Sequence, residues 1–229
     1  MVIHGTPLDR IGCKLWRYRI TPSQYSGRSY WNYGSNHPAI VSGEYEWSNL
    51  EVDIYIEGES ASEVERKKSL LNAMMMNPLI VLDEIDDKIE YVCAYENQVV
   101  IEKINEVASI ATYNFKALKR GVMRTISLSP GNKEYNLLID TQITSPCIYE
   151  ITPLNDLETF TIDSISVQNL KANKKIVIDG IGKTVKMGEE NKFSDTDFWE
   201  FPKLQPGLNL IKLSHSDVKV TIKFHPRYV

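Results

Sequence analysis

Two stretches of the chain alternate between apolar and polar residues. In residues 50–57 apolar side chains alternate with acidic ones, apart from Tyr55, and in residues 218–224 the alternation is strict. A period of two places one set of side chains in a core and the other in solvent, so both stretches predict half-buried β-strands. Shorter apolar runs predict further strands at 79–82, 89–95, 99–104, 109–118, 147–151, 159–167, 175–178, 184–187 and 208–213.

One helix is predicted, over about residues 62–76. Ser60 and Glu63 have the spacing of a capping box, in which the two side chains accept hydrogen bonds from free backbone amides at the helix start. Pro78 ends the pattern, because proline cannot continue a helix. The apolar face of this helix is formed by Val64, Leu71, Met74 and Met75.

The first 42 residues lack such a pattern and predict a long ordered loop or arm. They are rich in Gly, Tyr and Ser, and carry five basic residues against a single acidic one, Asp9. Exposed aromatic side chains in a loop suggest burial against another subunit. A loop folded back on its own domain is the equal alternative.

The turn cluster at residues 129–132 predicts a boundary between two domains, 1–129 and 130–229. The first contains strands, hairpins and the single helix, which is an α+β arrangement. The second contains at least six short strands and no helical pattern, which predicts a β-sandwich. Ile, Val and Thr account for 52 of the 229 residues, and this balance also favours a mainly β protein.

Composition narrows the class of protein. The formal net charge is −4, so no overall basic field is available for sequence-specific nucleic-acid binding. No apolar run approaches the length of a membrane span, and the first residues do not resemble a signal peptide. The three cysteines are odd in number and far apart, which predicts synthesis in a reducing cytoplasm without a disulfide framework.

No catalytic, cofactor or metal motif is found. Phosphate-binding Gly-rich loops and the G-x-S-x-G elbow are both missing from the sequence. None of the four histidines lies four residues from another histidine or near a cysteine at zinc spacing. The sequence therefore predicts no cofactor or metal site, while its many carboxylate pairs leave a glycosidase open at this point.

One segment has the composition of a sugar-binding site. Asp195 and Asp197 lie close to Phe198 and Trp199. Sugar rings stack on aromatic faces while their hydroxyls bond to carboxylates, so Asp195, Asp197 and Trp199 are candidate sugar contacts. The alternative is a polar loop in which Phe198 and Trp199 cover the edge of the sandwich.

The second half resembles the end of phage distal tail (Dit) proteins, which are baseplate hub components of the long non-contractile tails of siphoviruses. The resemblance rests on residues 175–180, Asn191, the segment Phe201-Pro202-Lys203-Leu204-Gln205-Pro206-Gly207-Leu208-Asn209-Leu210-Ile211, residues 218–222 and residues 226–228. The order of elements in the first half is similar as well: an opening strand, an arm, a strand pair, a helix ended by proline, and hairpins.

This resemblance implies a structural virion protein. The family's first domain forms a hexameric ring, single or in stacked pairs, around the channel through which DNA passes, and its second domain is a galectin-like β-sandwich. The ring joins the tail tube protein to the tip or hub protein and anchors the host-adsorption apparatus. Further partners implied are the receptor-binding and tape measure proteins. No enzymatic activity and no membrane is implied.

Within this picture, the arm is the expected ring interface. Its candidate contacts are Arg28, Tyr30, Trp31 and His37. The basic residues between 10 and 28 and between 116 and 124 are expected to face acidic residues of a neighbour's 51–59 strand. The protein is expected at the tail tip of a phage or prophage particle, after synthesis in the host cytoplasm. A carbohydrate-binding module that contacts the host cell wall is the alternative function.

Overall fold

The computed structural model describes residues 1–30, 39–45, 47–82, 88–96 and 99–229, with the backbone alone for 25–30 and 39–44. The chain divides into two compact units, Met1–Arg120 with Val229, and Gly121–Tyr228. Strands make up 58% of the residues and helices 10%, which confirms the predicted mainly β fold. No helix in the described ranges is long and apolar enough to cross a membrane.

The first unit is a β-sheet covered by one helix. Its strands are β1 (Val2–Ile3), β2 (Thr6–Pro7), β3 (Cys13–Thr21), β4 (Tyr25–Tyr30), β5 (Ala39–Tyr45), β6 (Ser48–Glu57), β7 (Leu79–Val81), β8 (Ile89–Tyr95), β9 (Val100–Asn105) and β10 (Ala108–Gly121). A short 3-10 helix spans Leu8–Ile11, and the helix α1 spans Ala61–Met74. The main sheet has the order β2-β1-β7-β8-β10-β6-β3, with β9 also on β10, and β4 pairs with β5.

The helix α1 forms where the sequence predicts it and packs on the sheet. The Ser60 hydroxyl accepts from the Glu63 backbone amide at 3.3 Å, whereas the Glu63 carboxylate accepts from the amide of Glu59 at 2.8 Å. In the predicted capping box the Glu63 carboxylate would accept from the amide of Ser60. In the structure it accepts from the amide one residue earlier. The core of this unit is formed by Leu50, Val52, Ile54 and Ile56 of β6 with Val64, Leu71 and Met75.

The prediction of a loop for the first 42 residues was wrong where the chain forms β3, β4 and β5. Within β3, Cys13 and Leu15 lie on the core side, and then Tyr18 lies on that side instead of Arg17. The register against β6 shifts between Leu15 and Arg17, so Trp16 is the extra residue of a β-bulge. A bulge moves the alternation by one position, and this conceals the strand from a search for a period of two.

The second unit is entirely strands, apart from a 3-10 turn at Phe193–Asp195. Its strands are β11 (Arg124–Leu128), β12 (Glu134–Ile139), β13 (Ser145–Pro153), β14 (Leu157–Ile162), β15 (Ile165–Leu170), β16 (Ile176–Asp179), β17 (Thr184–Met187), β18 (Glu190–Asn191), β19 (Thr196–Asp197), β20 (Lys203–Leu204), β21 (Gly207–Lys212) and β22 (Val218–Phe224). The unit begins before the boundary predicted at residue 130 because β11 pairs with β22.

Three sheets surround the core of this unit. The largest has the order β11-β22-β13-β16-β17-β18, with β20 on β13, and the others are β14-β15-β19 and β12-β21. Tyr149 and Ile222 from the largest sheet share one core with Phe160 and Val167 of the second and Ile211 of the third. The single strand predicted at 159–167 is a hairpin of β14 and β15, turning at Asp163, whose φ is +53°.

Gly180 occupies a position without space for a side chain. Its backbone amide donates to the Cys147 carbonyl at 2.9 Å, and the Cys147 amide donates to the Pro202 carbonyl at 3.0 Å. A Cβ atom at position 180 would overlap both of these carbonyl oxygens. The end of β16, the start of β13 and the segment before β20 are therefore held together by the close approach of three backbones.

Candidate assembly surfaces and a candidate binding loop

The strand β3 forms an open edge of the first unit's sheet. Among the described strands it pairs with β6 alone. Trp16 at the bulge is 65% exposed, and its ring centroid lies 6.0 Å from that of Tyr55. Bulges often redirect a side chain at a sheet edge. An indole on an open edge is a candidate contact for another chain.

Next to the bulge, Arg17 covers a buried carboxylate. Asp53 of β6 is 4% exposed. Its Oδ2 accepts from Arg17 Nε at 2.8 Å and forms an ion pair with an Arg17 terminal nitrogen at 2.6 Å, and its Oδ1 accepts from the Thr112 hydroxyl at 2.7 Å. These contacts tie β3, β6 and β10 together on the face opposite α1. A buried charge of this kind is stable because it is paired and hydrogen-bonded.

Other basic residues of the first unit have partners within the chain. Arg19 lies 3.2 Å from Glu51, and Arg120 lies 2.9 Å from Glu90. Lys116 donates to the Asn49 side chain at 2.8 Å. These three basic residues thus have partners within their own chain. Contact of the basic residues with a neighbour's acidic strand stays a prediction.

Two of the four predicted ring contacts lie on the hairpin of β4 and β5. Arg28 lies opposite Ser42, and Tyr30 lies opposite Ala39. Trp31 and His37, the other two predicted contacts, lie outside the described residues. The structure thus places the backbone of Arg28 and Tyr30 on one hairpin strand.

The strand β9 carries apolar side chains in solvent, which sequence reasoning did not single out. All six of its residues are exposed, and within the described ranges it pairs with β10 alone. Val100 is 62% exposed, Ile101 43% and Ile104 51%. Because β10 and β6 lie between β9 and β3, these two strands offer separate edges to other chains.

In the second unit, the two-stranded sheet of β12 and β21 has an apolar solvent face, here called the leucine ribbon. Leu138 lies directly opposite Leu208, and Leu210 lies next to them on β21. The exposed fractions of these three leucines are 81%, 69% and 45%. Glu134 and Lys212 form an ion pair of 3.8 Å at the far end of the same face. Contiguous apolar side chains of this kind mark an interaction surface.

Trp199 lies on a firmly held segment. Its ring is 97% exposed, while Phe198 and Phe201 on either side pack on the core. Asp195, a predicted sugar contact, is paired with Lys192 at 3.0 Å. Asp197 lies on β19 opposite Ser166 of β15. The structure thus leaves Asp197 and Trp199 facing solvent, while the Asp195 carboxylate is occupied by an ammonium group.

The three cysteines are buried, and one cavity of the first unit lies beside Cys13. Burial raises the pKa of Cys93 and of Cys147 to about 12, so both are neutral thiols at physiological pH. A cavity of about 400 Å³ lies beside Cys13 and Lys67. There the Lys67 ammonium donates to the Glu57 carbonyl at 2.7 Å and pairs with Glu63 at 2.8 Å, which fastens α1 to β6. No metal-ligand cluster occurs among the residues that the structure describes.

Comparison with known proteins identifies similar sequences and folds. Residues 130–228 match the family model of the siphovirus-type tail component, C-terminal domain. No curated protein matches the sequence. The crystal structure of SPP1 Dit (gp 19.1), described as a paradigm of the hub adsorption apparatus in phages that infect Gram-positive bacteria, has a TM-score of 0.76 at 13% identity. The alignment covers 100% of this chain and 98% of SPP1 Dit, and it establishes a common fold.

A second group of similar structures comes from a phage baseplate. The baseplate of phage p2 in its activated conformation with strontium contains a chain that is 12% identical, with a TM-score of 0.49. That alignment covers 92% of this chain and 90% of the baseplate chain.

Proposed function

We propose that the chain is a distal tail (Dit) protein of the siphovirus type, and that it is the structural hub that joins the tail tube to the tail tip. The observation that carries this proposal is the fold of the whole chain, which matches SPP1 Dit with a TM-score of 0.76. The family match of residues 130–228 supports it independently. The role is that of a scaffold without catalytic activity.

The proposed assembly is a hexameric ring, single or in stacked pairs. A sheet with separate open edges at β3 and β9 suits head-to-tail contact, in which an edge of one copy meets a different edge of the next. Trp16 at one edge and Ile101 at the other supply exposed apolar side chains for such contacts. We include the four predicted arm contacts in the same interface: Arg28, Tyr30, Trp31 and His37.

The remaining partners contact the ring from its two sides and its periphery. These are the tail tube protein and the tip or hub protein, together with a receptor-binding protein and the tape measure protein. DNA passes through the central channel without sequence-specific contacts. The protein is synthesised in the cytoplasm of the bacterial host and resides at the tail tip of the virion, where it anchors the adsorption apparatus.

The test is native mass spectrometry with negative-stain imaging over a range of protein concentrations. We expect six-fold rings that Trp16→Ala and Arg28→Glu weaken. A matched control is Lys171→Glu, because Lys171 is an exposed residue of the second unit whose partner Asp156 is also exposed. A protein that stays monomeric at every concentration, and also with tail tube and tip proteins of the same genome present, would contradict the proposal.

A further inference from the structure

We propose that the solvent face of the β14-β15-β19 sheet, together with Trp199, binds a neutral polysaccharide. This binding face is distinct from the surfaces assigned above to assembly. It would give the tail hub a direct contact with a glycan, in addition to its role as a scaffold.

Strand register brings the side chains of the face together. Thr161 of β14 lies opposite Ser166 of β15, and Ser166 lies opposite Asp197 of β19. One step along the hairpin, Thr159 lies opposite Gln168. Side chains directly opposite on antiparallel strands lie on the same face with Cβ atoms about 5 Å apart. Five hydrogen-bonding side chains thus form one continuous patch across three strands.

Trp199 extends this patch at the end of β19. Between residues 196 and 199, burial alternates: Thr196 and Phe198 are partly buried, whereas Asp197 and Trp199 are exposed. The alternation indicates that Asp197 and Trp199 share the solvent side of the segment. The strand β19 itself ends at Asp197, so an indole ring that is 97% exposed lies two residues beyond the patch.

The segment that carries Trp199 is held by contacts among three phenylalanines, of which Phe198 and Phe201 pack on the core. The ring centroids of Phe198 and Phe201 are 4.9 Å apart, and Phe193 lies 5.7 Å from Phe198 and 6.2 Å from Phe201. The Thr196 hydroxyl donates to the Phe193 carbonyl at 2.6 Å. A ring presented from a preorganised segment binds a ligand with little loss of conformational entropy.

The polar groups of the patch are available for a ligand. The side chains of Thr159, Gln168 and Asp197 form no hydrogen bond with any residue in the described ranges, and the hydroxyls of Thr161 and Ser166 share one bond of 3.0 Å. Hydroxyl and amide groups both donate and accept, and a carboxylate accepts. This set matches the many hydroxyls of a sugar chain, while the carbon–hydrogen face of a sugar ring stacks on indole.

The charge around Trp199 favours a neutral glycan over an anionic one. Asp197 is an exposed carboxylate within the patch. Two nearby ammonium groups are paired, Lys192 with Glu190 and Asp195, and Lys203 with Glu200. A third, Lys183, lies over the Phe201 ring at 5.0 Å. A polymer with phosphate groups would meet the Asp197 carboxylate within the patch, which is unfavourable.

The test uses the full chain labelled with fluorotryptophan and observed by ¹⁹F NMR. The chain has four tryptophans, so each variant that lacks one assigns one resonance. The probes are dextran, a galactan, a mannan and a rhamnan, with poly(glycerol phosphate) as the anionic probe. We expect at least one neutral polymer to shift the Trp199 signal saturably and to leave the signal of Trp16 unchanged.

Variants then separate binding from folding. Binding by the variants is measured by isothermal titration calorimetry, because Trp199→Ala lacks the reporting ring. Trp199→Ala should weaken binding by about tenfold or more, the scale of a lost aromatic stacking contact, with an unchanged unfolding midpoint. Asp197→Asn and Gln168→Ala should weaken it several-fold, and Trp47→Ala, which removes another exposed tryptophan, should leave it unchanged. Ring formation is measured on the same samples. Failure of the hub proposal, seen as a loss of rings, is therefore distinguishable from failure of polysaccharide binding.

Three results would overturn the proposal. The first is that no neutral polymer shifts the Trp199 signal, or that poly(glycerol phosphate) alone does. The second is wild-type binding by Trp199→Ala. The third is a Trp199 signal that responds to protein concentration and to no polymer, which would assign the residue to a contact between copies of the chain.

Discussion

Arg17 closes the solvent side of the buried Asp53 carboxylate, with Nε 2.8 Å and a terminal nitrogen 2.6 Å from the same oxygen. The Arg17 side chain is itself 60% exposed, whereas that of Asp53 is 5% exposed. The arginine therefore reaches from an edge strand over the sheet and compensates a charge on the neighbouring strand.

Arg17→Ala is expected to destabilise the first unit by about 1–3 kcal/mol, because it leaves a buried carboxylate with one hydrogen bond from Thr112. The measurement is the free energy of unfolding from chemical denaturation. Arg19→Ala is the matched control on the same strand, and its pair with the more exposed Glu51 predicts a loss below about 1 kcal/mol. Asp53→Asn in the Arg17→Ala background should recover part of the loss. Equal effects of the two arginine variants would contradict this assignment.

The two neighbouring leucines of α1 should respond differently to truncation. Leu71 is fully buried between the helix and the sheet, so Leu71→Ala is expected to cost about 2–5 kcal/mol of unfolding free energy. Leu70 is 42% exposed, and Leu70→Ala should cost about 0.5 kcal/mol or less. Thermal and chemical denaturation measure both. A similar loss in the two variants would show that α1 is rotated from its place on the sheet.

Glu150 should contribute stability that depends on pH. Its carboxylate accepts from Lys223 at 2.6 Å and lies 3.4 Å from Lys175, and the hydrogen bond with Lys223 lowers its pKa below the ordinary value of 4.5. The ion pairs of Glu150 therefore contribute fully to the unfolding free energy above pH 4.5. This contribution is lost as the pH falls through the lowered pKa. Glu150→Gln should reduce stability at neutral pH by about 0.5–1 kcal/mol, the range for ion pairs near a surface.

Comparison of denaturation curves at neutral and acidic pH tests this prediction. The difference between wild type and Glu150→Gln should disappear in acid. Glu158→Gln is the control, since Glu158 is exposed and has no ion pair in the described residues. If Glu150→Gln lowers the unfolding free energy equally at both pH values, the ion pairs of Glu150 are not the cause of the loss.

The leucine ribbon should matter for association and not for folding. Leu138 and Leu208 face solvent, so replacing both with Ser is expected to change the unfolding free energy by about 0.5 kcal/mol or less. Co-purification with tail tube or tip proteins of the same genome should nevertheless fall. Ile211→Ser, on the buried face of the same sheet, should instead cost about 2–5 kcal/mol. Undiminished co-purification of the double variant would exclude the ribbon as a partner surface.

Sequence reasoning succeeded where the spacing of apolar residues stays regular along a whole strand or helix. The strand β6 and the strand β22 alternate cleanly, and α1 has both an apolar face and a Ser60 cap. It failed at β3, where the bulge at Trp16 shifts the alternation. It also missed β12, because Leu137, Leu138 and Ile139 form an apolar run in which the middle residue faces solvent.

The candidate glycan-binding face was predictable only in part. Asp197 and Trp199 can be named from the acidic and aromatic composition of their segment, and their role in sugar contact stays a prediction. Thr159 and Gln168 join them through strand pairing, which depends on register between distant parts of the chain. Register is set by packing of the whole unit, so no local pattern reveals that these side chains are neighbours.

The close packing at Gly180 affects a segment that reaches the surface of the second unit. Any larger residue would displace the carbonyl of Pro202, which lies shortly after Trp199 and supports the same segment. Such a residue is expected to shift the segment that carries Trp199, because a packed interior transmits the displacement. A genetic screen for phages that adsorb poorly is therefore expected to recover changes at position 180 along with changes at 199.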